Sequence, residues 1–309
     1  MKKYIRIMRL DHWIKQLFIL PGVVFAYLLL KPEIKIDIFI LKFILGFLGL
    51  CFIASANYVI NEWLDSEFDK YHPVKKNRSV VTEDVKGHIV WILYVVLSII
   101  GFCLGYFVNF KVLSMELFLF IMGILYNVKP IRTKDVPIID VLSESVNNAI
   151  RLLLGWFIVA PNTIPPCSFI IGYWMSGAYL MAVKRFAEYK MINNPKLAGK
   201  YRKSFKYYSE ISLLISSFFY AMCAVLFIGI FLIKYRVELI LFMPFLIGLF
   251  SYYLVLSFKP DSVVQKPEKL YKEKKLMLYC IFLIALFIVL MVVDLPFLDV
   301  FVSDNLINI

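Results

Sequence analysis

The sequence predicts an all-α integral-membrane fold, with about nine transmembrane helices joined by loops long enough to carry short helices of their own. Three observations lead there. Of 309 residues, 61% are hydrophobic and only 18% charged, with a mean hydropathy of +0.78. Apolar runs long enough to cross a bilayer recur along the chain. Lysine and arginine are confined almost wholly to alternate loops.

The elements follow in order. The opening MKKYIRIMRLDHWIKQ mixes charged and apolar side chains and has no small-residue cleavage site. Residues 1–16 therefore read as a basic amphipathic segment on the membrane surface, not as a signal peptide. Apolar stretches then predict spans near 17–30, 37–60, 89–108, 112–126, 141–160, 165–183, 211–233, 237–257 and 276–293. In a nine-span chain, the N-terminal segment and loops 61–88, 127–140, 184–210 and 258–275 share one side, holding 27 Lys/Arg against 5 on the other. The positive-inside rule puts the N-terminus and these loops in the cytoplasm of a multi-pass cell-membrane protein. The C-terminus, with Asp294, Asp299 and Asp304, is then external.

This distribution also limits the partners. The net charge of +12 faces lipid headgroups or anionic substrates, so the lipid bilayer is a partner and nucleic acid is not. The five cysteines stand singly in apolar runs, with neither redox nor metal spacing. Nothing marks a second domain, so 1–309 reads as a single transmembrane domain, with homo-oligomers left open.

The densest chemistry is NEWLDSEFDKYHPVKKNR, Asn61 to Arg78. Continued as a helix at about 100° per residue, Asn61, Asp65 and Asp69 fall near 0°, 40° and 80°, Glu62 near 100° and Glu67 near 240°. One face thus carries an amide and three carboxylates at the cytoplasmic mouth of the bundle. Like charges at i,i+4 repel unless neutralised. A hard cation such as Mg²⁺ takes oxygen ligands and shares them with phosphates, and Lys75, Lys76 and Arg78 follow as phosphate partners. A solvated acidic helix end is the plain alternative; continuation of a membrane helix with the acids on one face favours a metal–diphosphate site.

The pattern N-E-x-x-D-x-x-x-D at Asn61, Glu62, Asp65 and Asp69 resembles the first Asp-rich motif of the UbiA-type membrane prenyltransferase superfamily, which usually has Asp at the position of Glu62. The longer YVINEWLDSEFDKYHPVKKNR, with Tyr58, Glu67, His72-Pro73, Lys75 and Arg78, is most similar to the polyprenyl-phosphate phosphoribosyltransferase branch. RLDHWIKQLFILPG and VKRFAEYK are similar to the same branch. The resemblance implies nine helices around a central cavity, Mg²⁺ as cofactor, a diphosphate donor, an isoprenoid lipid substrate, and a second motif before the fifth helix. There YNVKPIRTKDVPIIDVLSESVNNAIR offers Asp140 and Glu144 as a facing carboxylate set. Tyr126, Lys129, Arg132 and Lys134 are its phosphate-binding candidates.

On this reading Asn61, Glu62, Asp65, Asp69, Asp140 and Glu144 are the metal candidates. Asp65, Asp69, Lys75, Arg78, Lys134 and Asp140 are the catalytic ones. Lys15, Asn61, Tyr126, Arg132, Glu144, Asn148, Lys184, Arg185 and Glu188 would bind substrate. Asn147, Asn148 and Arg151 lie within a span, where polar groups normally face a cavity or a partner; a Glu144–Arg151 structural pair is the alternative. His12, His72 and His88 have no ligand spacing, and Lys42 and Glu116 are isolated span charges.

Two reactions remain open. Phosphoribosyl transfer from phosphoribosyl pyrophosphate to polyprenyl phosphate fits the longer match. Prenyl transfer from a prenyl diphosphate to an aromatic or other acceptor fits KPIRTKD, which resembles prenyl-transferring relatives. A cation-coupled transporter is the reading from another class, but it calls for ionisable residues near the midplane rather than at one edge.

Overall fold

The computed structural model describes residues 2–83, 85–259, 262–265 and 267–301, and among them there is no strand. The α-helices are α1 (Lys2–Ile7), α2 (Leu20–Leu30), α3 (Ile36–Asp69), α4 (Ser79–Thr82), α5 (Gly87–Val108), α6 (Phe110–Asn127), α7 (Ile139–Val159), α8 (Cys167–Ile192), α9 (Pro195–Tyr201), α10 (Glu210–Tyr235), α11 (Met243–Ser257) and α12 (Lys274–Val292). Local chemistry marks their starts. The Asn109 side chain accepts from the Val112 N–H (2.9 Å) to begin α6, and Ser209 and Ser212 form a reciprocal capping box at α10. Asn194 caps α9, with Pro195 in its first turn.

Each of the nine expected apolar stretches falls on helical structure, and among the described residues seven segments are long and apolar enough to cross a membrane. Helices α7 and α8, of 21 and 26 residues, are long enough but carry many of the polar residues of the site. The described helices leave wide apolar surfaces exposed, among them Ile215, Phe218 and Phe219 on α10, as a lipid-facing bundle requires. Asp304 and the Asp299 side chain of the expected acidic tail lie outside the described residues, while Asp294 pairs with Arg236 at 2.7 Å.

The N-terminal segment is not one regular helix. Arg9 takes a left-handed conformation (φ 52°), and Leu10–Ile19 continues as a 3-10 helix that buries His12, Gln16 and Ile19. Pairing accompanies the turn: Arg9 meets Glu62 and Lys15 meets Glu268. Close approach of α2 to α7 seats this entry, because a Cβ on Gly22 would strike the Leu152 carbonyl and one on Gly155 the Ile19 carbonyl. Helix α3 packs on α5 and α6, α7 on α2, α6 and α8, and α8 on α10, so α7 stands centrally. Glu116 is fully buried against Gly49 and Gly105, without a hydrogen-bond partner among the described residues.

Candidate active site

Helix α3 runs unbroken for 34 residues, past its apolar stretch and through the charged one. Asn61, Glu62, Asp65 and Asp69 therefore do share a face, and that face lines a cavity of about 400 Å³; Glu67 points to solvent. Each acid has a basic partner from a different segment. Glu62 accepts from Arg9 at 2.8 Å and Asp69 from Arg78 at 2.8 Å. Asp65 accepts from Arg132 Nη2 at 2.9 Å and Lys134 Nζ at 2.5 Å. The bases fold inward because the acids are buried: Glu62 and Asp69 are 4% and 2% exposed.

The loop before α7 is a clamp on Asp65. Lys134 also donates to Asn127 Oδ1 at 2.8 Å, Arg132 donates to the Asn127 carbonyl at 3.2 Å, and the guanidinium of Arg132 lies 4.7 Å from the Phe68 ring centroid. Asn61 donates to the same Asn127 side chain. Arg132 and Lys134, expected to bind phosphate, thus reach the site through Asp65 and do not line the cavity. Burial pushes the Lys134 ammonium down to about 8 against the pull of Asp65.

The opposite wall comes from α6, α7 and α8. Glu144 accepts from the Tyr126 hydroxyl at 2.7 Å and from Arg185, which also donates to Glu188 at 3.2 Å. The Tyr126 hydroxyl accepts from Arg185 (3.1 Å) and Arg202 (3.2 Å). Lys75 donates to Glu188 at 2.9 Å and to the Tyr201 hydroxyl. Burial opposes the Lys75 charge, but Glu188 and Tyr201 outweigh it and hold the ammonium above the ordinary lysine range. His72 turns this loop: its Nδ1 accepts the N–H groups of Val74 and Lys75, both at 3.1 Å.

Asp140 corrects the expected facing pair. It is fully buried and does not line the cavity; it accepts from Tyr208 (2.7 Å) and Ser204 (3.0 Å), with Arg185 and Arg202 each 3.6 Å away. Buried among those partners, Asp140 does not face the acids of α3 across the cavity and instead lies between the two arginines. Glu144 does line the cavity, tied to Arg185. Arg151 pairs with Gln16 Oε1 (2.8 Å) and Asn148 Oδ1 (3.1 Å), so the Glu144–Arg151 alternative is not what forms.

A second cavity of about 560 Å³ adjoins the first on the side of the N-terminal segment, lined by Arg6, Arg9, Lys15, Lys75, Arg78 and Lys184 among others. Eight residues line both, including Arg9, Lys15, Glu62, Lys75, Arg78 and Lys184. Lys15 pairs with Glu268 at 2.9 Å, and His12 lies 3.4 Å from the same carboxylate. Asp11, His12 and Glu268 converge closely enough to hold a cation, a grouping no spacing foretold. Arg9, Arg202 and Glu268 were missed in the sequence. Arg9 and His12 lay in the quoted RLDHWIKQ match, whereas nothing set Arg202 or Glu268 apart from neighbouring charges.

A helical membrane bundle enclosing carboxylates and a ring of phosphate-type bases defines a membrane protein built to handle a polyanionic substrate. The sequence matches the UbiA prenyltransferase family over residues 19–282, and the chain belongs to that family. It is 25% identical over 231 residues to nodulation protein NoeC of Azorhizobium caulinodans, covering 74% of this chain and 71% of that one. Its fold matches a UbiA homologue from Archaeoglobus fulgidus bound to GPP and Mg²⁺ (TM-score 0.68, 19% identity, covering 94% of this chain and 100% of that one). A digeranylgeranylglyceryl phosphate synthase matches with TM-score 0.61 and 20% identity over 92% and 98% of the two chains.

Proposed function

We propose that this chain is a Mg²⁺-dependent transferase of phosphoribose, moving it from phosphoribosyl pyrophosphate to polyprenyl phosphate at the cytoplasmic end of the bundle. The observation that carries the donor is the second cavity, where six lysines and arginines outnumber the four acids Asp11, Glu62, Glu188 and Glu268. Phosphoribosyl pyrophosphate presents a diphosphate and a separate 5-phosphate, whereas a prenyl donor presents one anionic group and an apolar tail. Lys184 lines both cavities and forms no ion pair among the described residues, so its charge is available to a second phosphate.

Asn61, Glu62, Asp65 and Asp69 offer only oxygen donors on one wall, a set that fits Mg²⁺ and not a soft metal; the A. fulgidus homologue bound to Mg²⁺ supports the same choice. Bound there, Mg²⁺ would neutralise charge on a departing pyrophosphate. Arg78 and Lys75 would contact the diphosphate oxygens, and Arg185, held by Glu144, Glu188 and Asp140, would keep its guanidinium ready without reorganisation. Lys134 and Arg132 would fix the rotamer of Asp65.

The deciding experiment supplies nanodisc-embedded protein with each radiolabelled donor and Mg²⁺. Turnover with phosphoribosyl pyrophosphate and polyprenyl phosphate, and none with prenyl diphosphates, is expected. The reverse selectivity would sink the ribosyl reading. Prenyl transfer is the second reading, favoured by the family's prenyl-diphosphate-bound homologues and by the KPIRTKD loop that clamps Asp65.

A further inference from the structure

We infer that Arg151, oriented by Gln16 and Asn148, forms an anion subsite on the deep side of the cavity that takes the phosphate of a lipid monophosphate acceptor. This rests on the transferase reading above and assigns the nucleophile's position, which that reading leaves open.

Arg151 lines the cavity seven residues beyond Glu144 on α7, hence on the same face and about 10 Å further along the helix. Two of its nitrogens are engaged: Nε with Gln16 Oε1 at 2.8 Å and Nη1 with Asn148 Oδ1 at 3.1 Å. Both partners are neutral, and among the described residues no carboxylate lies within ion-pair reach of it. A guanidinium lacking a counter-charge inside a membrane bundle is costly even when half-buried, and such residues mark substrate paths. The second observation is orientation: Gln16, fully buried behind the cavity lining, and Asn148 hold Nε and Nη1, and among the described residues no hydrogen bond engages Nη2. A cavity-lining guanidinium with no carboxylate partner asks for an oxyanion.

The position suits displacement chemistry. The acids of α3 and the bases beside them hold the leaving group at the cytoplasmic end, and an in-line nucleophile must approach from the other side of the reacting carbon. One oxygen of the lipid phosphate forms a bond to C1 of the ribose as the bond from C1 to the pyrophosphate oxygen breaks. Pyrophosphate keeps the electron pair, and the dianionic monoester becomes a monoanionic diester. No proton moves, so no general base is required. Tyr58, Asn147 and Asn148, which line the cavity beside Arg151, include neither a carboxylate nor an imidazole.

The test measures the affinity of nanodisc-embedded protein for a short-chain prenyl monophosphate and for the matching prenyl alcohol. Wild type should favour the monophosphate. Arg151→Gln should lose about ten- to a hundredfold of that preference, and Arg151→Lys should keep part of it. Affinity for Mg²⁺-pyrophosphate should be unchanged in both, which also reports an intact fold. No preference in wild type, or full preference in Arg151→Gln, overturns the subsite. Phosphoribosyl pyrophosphate is titrated in parallel: a protein that ignores it yet keeps an Arg151-dependent monophosphate preference loses the donor assignment and retains the subsite.

Discussion

Lys75 and Glu188, 113 positions apart, meet at 2.9 Å and tie the loop after α3 to the last turns of α8. The Glu188 side chain is 1% exposed, so removing its partner strands a buried charge. Lys75→Met should therefore lower stability by about 3 kcal/mol, the low end for breaking a buried pair because Arg185 remains. Adding Glu188→Gln should restore much of that stability without restoring donor binding. Thermal melts with and without pyrophosphate read the two effects apart; simultaneous recovery would make Lys75 a structural residue only.

Asp65→Asn and Asp69→Asn should each abolish turnover in protein that still elutes as a folded monodisperse peak. Glu67→Gln, on the solvent side of the same helix, should retain most activity. Comparable losses at all three would break the link between activity and the cavity-facing side of α3.

His72 sits neutral, pushed down to about 3 by burial and then by the Lys75 ammonium, with its Nδ1 occupied by two N–H donors. The unfolded chain binds this proton near 6.5 and the folded chain does not, so stability is lost as pH falls from about 6.5 towards 3, by about 1.4 kcal/mol per unit. His72→Asn keeps an acceptor for the same donors and should flatten that acid limb. Equilibrium unfolding against pH compares the two proteins; parallel curves would remove His72 from the account.

In a background freed of native cysteines, Asn162→Cys should react with an impermeant thiol reagent in intact cells, and Lys200→Cys should not. Both side chains are exposed, at opposite ends of α8. The opposite pattern would reverse the orientation drawn from the 27-to-5 charge split.

Periodicity made the bundle and the face of α3 legible, because a helix rotates side chains by a fixed angle and the chain supplied acids at that spacing. Pairings across segments were not legible. Asp140 and Glu144 look alike at i,i+4, yet only Glu144 reaches the cavity, since Ser204 and Tyr208, more than sixty residues on, turn Asp140 away. Nor was the partner of Arg9 legible: it is the buried Glu62, fifty-three residues away. Contacts of this range depend on how helices assemble, which no local window records.

The unbroken length of α3 couples the chemistry to the thickness of its solvent. At about 1.5 Å per residue its 34 residues span roughly 51 Å, against about 30 Å of hydrocarbon. Asp65 and Asp69 ride on a stiff rod whose lower end is set by the far leaflet. A thicker or thinner bilayer changes the tilt of such a rod, and with it the height of the carboxylates relative to the clamp that holds Asp65. Acyl-chain length thereby becomes a tuning variable for the proposed reaction.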